Sequence, residues 1–278
     1  MITNGKKEYV PYLKLIWKEC FGDTDESINL FFDRVYSDEK VLIKIFDDIP
    51  VSMLFILELE VFFENEYKKC AYIYGVSTLD RYRGKGFSTE LINYVNNKYD
   101  FFDTILVPAS ESLFDFYKLR GYKETFKFKK LEFEVYDNVI SEKDIFIEEF
   151  NIGIESLNYK NLRDNRFFRN GYACWDYDYI NYAIYENKFL GGKNYNIIYK
   201  NNNYSVILYA INEILFIKEA VIDDKYLCDI LNFIAIYENC NKVIGRLDIN
   251  SDLDCDIFDF ALSTGNIAIN GYFNIAFD

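Results

Sequence analysis

Histidine is missing altogether from the 278 residues. That absence removes every mechanism built on an imidazole: Ser-His-Asp and Cys-His nucleophile schemes, histidine general bases and most transition-metal sites. Proline (3) and glycine (13) are scarce beside 25 Tyr and 26 Phe, which excludes extended disorder and low-complexity architecture. The six cysteines, at positions 20, 70, 174, 228, 240 and 255, form no C-x-x-C pair, so neither a zinc site nor a disulfide framework is expected, only reduced and mostly buried thiols. Apolar runs such as 51–57 fall far short of the roughly 20 residues of a spanning helix, and no membrane span is expected. The opening residues Met1 to Glu8 lack the apolar core of a secretory signal, and the expected location is cytoplasmic. A net charge of −14 argues against nucleic acid as a partner. It would favour a cationic amine substrate, although surplus surface acid also serves solubility alone.

What is present reads as an α/β chain of two domains. The spacing of Tyr9, Tyr12, Leu13, Ile16, Trp17 and Cys20 predicts an amphipathic helix ending near Gly22. A second helix follows, capped by Thr24 or Asp25 and carrying Ile28, Leu30, Phe31, Phe32 and Val35. Runs at 41–46 and 51–63 predict a hairpin around the turn Asp47-Asp48-Ile49-Pro50. A strand over 70–77, a Gly-rich turn, a helix over 87–97, a strand over 104–107, a helix over 111–119 and a strand over 126–135 complete a first α/β unit. Apolar patterning lapses at 137–144, which sets the expected domains at 1–137 and 145–278 with a linker at 138–144. The second half predicts a helix over 176–185, strands over 195–200, 204–211 and 214–222, a helix over 226–237 and a strand over 242–247. The order strand, helix, strand echoes the first half, so this domain is either a diverged duplicate or an accessory domain.

One constellation carries chemistry. The strand ending Gly75-Val76-Ser77 leads into Arg81-Tyr82-Arg83-Gly84-Lys85-Gly86-Phe87 and then a helix. Gly84 and Gly86 are free to take positive φ, and the helix N-terminus adds partial positive charge. With Arg81, Arg83 and Lys85 alongside, this describes a pyrophosphate cradle. The G-x-x-x-x-G-K-[ST] and G-x-G-x-x-G patterns are both absent, which excludes a Walker loop and a dinucleotide fingerprint. Between 214–222 and the helix after it, Asp223-Asp224-Lys225 replaces the glycines, and two acids there repel phosphate. The acidic stretch Asp252-Leu253-Asp254-Cys255-Asp256 lacks the glycine and terminal glutamate of a calcium loop and reads as a solvated face.

R-x-x-G-x-G between a strand and a helix resembles the acyl-CoA motif of the GNAT superfamily of N-acyltransferases. Downstream, Phe116-Tyr117-Lys118-Leu119-Arg120-Gly121-Tyr122 resembles that family's F-Y-x-x-x-G-[FY] signature, and the opening helix with Cys20-Phe21-Gly22-Asp23 is similar to a bacterial subgroup related to the enhanced-intracellular-survival acetyltransferases. The resemblance covers roughly the first half of the chain. It implies direct, metal-free transfer of an acyl group, usually acetyl from acetyl-CoA, to an amine on a small molecule or peptide. It also implies that the main chain of residues 81–87 holds the pyrophosphate, that Val76 and Ser77 bond the pantetheine arm, and that Tyr117 protonates the departing thiolate. For the general base it points to the terminal carboxylate of Asp278. The residues themselves offer Glu58 and Glu60, which equally fit solvent-facing strand acids. Two other readings are a non-catalytic acyl-CoA sensor, with Tyr117 a packing residue, and an enzyme using a longer acyl donor.

Overall fold

After a short strand β1 (Ile2–Asn4), helix α1 (Val10–Phe21) begins with Pro11 in its first turn and stops at Gly22, whose φ of 75° ends the helix without strain. Its buried stripe is Leu13, Ile16 and Trp17. Helix α2 (Asp25–Arg34) is capped by Thr24, whose side chain accepts a hydrogen bond from the Ser27 N–H at 3.2 Å, so the structure decides between the two expected caps. Thr24→Ala is expected to lower stability by about 1 kcal/mol. Asp25→Asn should lose far less, because its ion pair with Lys18 is exposed. Denaturant unfolding of the two variants checks the difference.

In this computed structural model, which describes residues 1–275 apart from Asn138, Asn151, Asn266, Ala268 and Ile269, the chain separates into two compact units. The first comprises Met1–Glu124 with Ala261–Ala268, the second Thr125–Phe260 with Ile269–Asp278. Residues 137–144, expected as a linker, lie within the second unit.

The first unit continues with β2 (Val41–Phe46), β3 (Ile49–Phe63), β4 (Glu66–Thr78), α3 (Phe87–Lys98), β5 (Asp103–Leu106) and α4 (Glu111–Lys118). Strands β1 to β4 pair antiparallel in sequence order, and β5 joins parallel to β4 across the α3 crossover. The β2–β3 turn is shorter than expected. Asp47 and Asp48 alone make it, both at positive φ (49° and 61°), and Pro50 already lies in β3. A register shift beside Ile45, the partner of Pro50, relieves the missing proline N–H. On one face Trp17 packs within 6 Å of Phe31, Phe55 and Tyr74. On the other, Leu91, Ile92 and Val95 of α3 join Leu54, Ile56, Ala71 and Ile73. The distant segment 261–268 belongs here because buried Asp103 holds it: its carboxylate accepts from the Thr264 hydroxyl and, at 3.1 Å, from the Ile267 N–H.

The second unit takes most of β6 (Lys123–Glu134), then β7 (Ile145–Glu149), α5 (Ile154–Phe167), β8 (Tyr172–Cys174), α6 (Tyr177–Phe189), β9 (Lys193–Tyr199), β10 (Asn202–Ile211), β11 (Ile214–Val221), α7 (Asp224–Tyr237), β12 (Lys242–Asp248) and the start of β13 (Ile257–Ser263). Strand β11, helix α7 and strand β12 form a parallel crossover like that of β4, α3 and β5. The link into α7 is only Ile222-Asp223, too short for a cradle. In the acidic loop after β12, the Lys129 ammonium donates to the Ser251 and Leu253 carbonyls at 2.7 and 2.8 Å, so a built-in cation serves that loop. Among the described residues no group of side chains is placed to hold a metal ion, and no helix is long and apolar enough to cross a membrane.

Candidate active site

The geometry begins with a parting of two strands. β4 and β5 pair only from Cys70/Asp103 to Tyr72/Ile105, and β4 then runs on to Thr78 with its β5 side unpaired. Just past that point β4 bulges: Tyr74 opposes Phe55 and Ser77 opposes Met53, leaving one extra residue, with Gly75 at φ 61°. The Leu79 N–H bonds the Val51 carbonyl on β3. Strand alternation therefore turns the Ser77 amide group toward β3 and those of Val76 and Thr78 toward the open edge. The Ser77 carbonyl accordingly accepts the Ser52 hydroxyl at 2.7 Å, and the Thr78 carbonyl accepts from Arg83 Nε at 3.3 Å. Of the two residues expected to offer main-chain bonds to a ligand, Val76 is the one on the free edge.

Beyond Leu79 a 3₁₀ turn (Asp80–Tyr82) brings the chain to Gly84 and Gly86, at φ 76° and 82°. Gly86 is the N-cap of α3, and no side chain caps that terminus. The first-turn amides of a 12-residue helix thus face an open surface, a ready anion site. The three motif cations are not all directed at it. Arg83 pairs with Asp80 at 2.8 Å and reaches back to Thr78. Arg81 and Lys85 lie over the Tyr82 ring, 5.0 and 5.2 Å from its centroid. Phe87, the first helical residue, is buried against Phe46 and anchors the turn to β2.

Tyr117 lies on α4 with its ring buried beside Phe116 and Tyr122, in the cluster that holds Leu91, Ile92 and Leu106. Its neighbour Tyr122 is satisfied by the Thr104 hydroxyl at 3.0 Å. The Tyr117 hydroxyl has no hydrogen-bond partner among the described residues. Burial pushes this phenol well above the ordinary tyrosine range; Tyr122 adds to the shift and the charge of Arg120 opposes it. Arg120 is the residue that motif reading missed. Its Nε donates to Thr89 Oγ1, in the first turn of α3, at 2.8 Å, and its guanidinium stacks 3.3 Å above the Phe116 ring. The signature treats this position as variable, so nothing local marks it.

Glu58 and Glu60 are exposed on β3, Glu58 paired with Lys69 at 2.9 Å, as strand acids facing solvent. Asp278 lies outside the described residues. An open cleft of about 850 Å³ adjoins the cradle on its α1 side, between Tyr12, Leu15, Ile49 and Arg81.

Residues 2–125 match the family model described as an acetyltransferase (GNAT) domain. That match spans nearly all of the N-terminal segment of the first unit. No curated protein matches the chain in sequence. Solved structures share its fold: a GCN5-related N-acetyltransferase from Kribbella flavida (TM-score 0.71, 14% identity, covering 95% of this chain and 71% of that one) and another from Anabaena variabilis (0.71, 15%, 95% and 72%). Eis1 from Mycobacterium abscessus is similar as well (0.68, 8%, 95% and 73%). Identities this low speak to fold alone. The expected α/β architecture and the resemblance to GNAT enzymes are both borne out.

Proposed function

We propose that the chain transfers an acyl group, acetyl from acetyl-CoA in the first instance, directly to a primary amine. The observation that carries this reading is the open edge of β4 beyond Tyr72, which leads without interruption to the uncapped N-terminus of α3. An extended amide-bearing arm fits the edge as an added strand, with Val76 offering its main chain. A pyrophosphate fits the amides of residues 84–87. The thioester supplies the activated acyl carbon. The amine nitrogen attacks that carbon as the C–S bond breaks, Tyr117 gives its proton to the departing sulfur from a hydroxyl without a hydrogen-bond partner among the described residues, and the proton lost by the acylated nitrogen returns through solvent to the phenolate. The net charge of −14 favours a cationic acceptor.

Thiol release from acetyl-CoA across a panel of primary amines tests the proposal, with amine-dependent release expected. Tight CoA binding without turnover for any amine would support the sensor reading instead. Mass spectrometry of copurified CoA species separates acetyl from longer acyl donors.

Gly86 gives a sharper test of the cradle. A Cβ built there meets no atom within 4 Å, so Gly86→Ala brings no clash, only the cost of holding alanine at φ 82°, about 1 kcal/mol. The methyl group would stand at the helix terminus where the phosphate approaches. The expected outcome is a small loss in Tm with CoA binding weakened about tenfold by calorimetry. Equal losses in both, measured on the same scale, would place Gly86 in the fold and not in the cradle.

A further inference from the structure

The three cations of the Gly-rich motif are held by other groups. Arg83 is neutralised by Asp80 and bonded to the Thr78 carbonyl, and Arg81 and Lys85 rest on Tyr82. A fourth cation, outside the motif, is differently placed. Arg120 leaves the end of α4 and reaches the first turn of α3, where Thr89 Oγ1 accepts its Nε at 2.8 Å. Its Nη1 donates to the Phe116 carbonyl and its Cζ lies over the Phe116 ring, 3.3 Å from the centroid. These three contacts fix the guanidinium in orientation without spending its charge. No carboxylate pairs with it among the described residues, in a chain where acids outnumber bases by 45 to 31. A partly buried guanidinium anchored on an uncapped helix terminus is complementary to an anion at that terminus.

We infer that Arg120 is a phosphate-binding residue that closes the α4 side of the cradle, its Nη2 directed to a pyrophosphate oxygen that the α3 amides hold from below. The inference rests on the acyl-CoA reading and sharpens it. The main chain of the motif gives the shape of the site, and the charge comes from the signature 31 residues downstream of Thr89. Arginine suits this role and lysine does not, because only a planar fork keeps the Thr89 bond and the ring stack while leaving an N–H pair for phosphate. Thr89 is a positioning residue, acting through Arg120.

Calorimetric titration of the full chain with CoA and, separately, with pantetheine, which lacks phosphate, tests this. Arg120→Gln is expected to weaken CoA binding about 10- to 100-fold and to leave pantetheine binding unchanged. Arg120→Lys should recover only part of the loss, and Thr89→Val should show a smaller loss of the same kind. Wild-type affinity for CoA in Arg120→Gln overturns the inference, as does an equal loss for CoA and pantetheine, which would mark a structural role. If Arg120→Gln does not fold, Arg120→Lys and Thr89→Val decide by the same comparison. Failure of the wild-type chain to bind CoA at all would overturn the acyl-CoA reading itself, a result distinguishable from the others.

Discussion

Tyr117→Phe is expected to lower amine-dependent thiol release from acetyl-CoA by about 10²-fold or more while leaving CoA affinity nearly unchanged. The ring is buried in the cluster around Leu91 and Tyr122, and phenylalanine keeps that packing, so the fold is preserved. Only the hydroxyl is removed, and it has no hydrogen-bond partner to lose among the described residues. Burial holds the phenol protonated at neutral pH, which is the state a proton donor needs. The same burial raises the cost of forming phenolate, and the nearby charge of Arg120 acts against that cost. Catalysis would therefore fall through kcat, not through the KM for the acyl donor. Turnover by Tyr117→Phe at the wild-type rate would remove Tyr117 from the chemistry and return it to the core.

The second large effect is in stability. Arg163→Met is expected to cost the second unit about 3–5 kcal/mol, because it leaves the fully buried Glu219 carboxylate without its cation. The two are joined by Nε at 3.0 Å, and the hydroxyls of Tyr159 and Tyr272 donate to the same carboxylate. Burial, then the charge of Glu219, push both phenols well above the ordinary tyrosine range, so they stay donors. Arg163 also holds the Asn274 carbonyl at 3.0 Å, which fixes the chain segment after Tyr272. Urea unfolding should show the loss as an earlier transition. The pair replaced together, Arg163→Met with Glu219→Leu, should recover much of it, since an apolar pair carries no desolvation penalty. A loss below about 1 kcal/mol for the single variant would mean that the site relaxes or hydrates.

Legibility followed the kind of residue that each element buries. Helices α1 and α3 show in the sequence because their buried stripes are Leu13, Ile16, Trp17 and Phe87, Leu91, Ile92, Val95. Helix α5 went unpredicted although its buried positions, Ser156, Tyr159, Arg163 and Phe167, keep the helical spacing. Two of the four are polar, so a hydrophobic pattern does not form. The turn at 212–213 lies where the strands 204–211 and 214–222 place it, whereas the gaps expected at 47–50, 64–69 and 201–203 are wider than the two-residue turns found. Asp47-Asp48, Glu64-Asn65, Lys200-Asn201 and Asn212-Glu213 all take positive φ at both residues, with none of the glycine that usually announces such turns. Strand β13 went unpredicted, following directly on the acidic loop 252–256.

The sequence by itself determined the glycine turn ahead of α3. Gly84 and Gly86 are needed because the backbone there has positive φ, and a helix N-terminus left without a capping side chain is a local property written in consecutive residues. The same holds for the position of Tyr117 within its signature and for the absence of imidazole chemistry. Tertiary structure alone decided which strand edge stays open, that Ser77 turns away from it, that the motif cations are engaged elsewhere, and that Arg120 meets Thr89. Each of these depends on β4 parting from β5 and on α4 packing beside α3. They are relations between segments far apart in the chain, which no local spacing encodes.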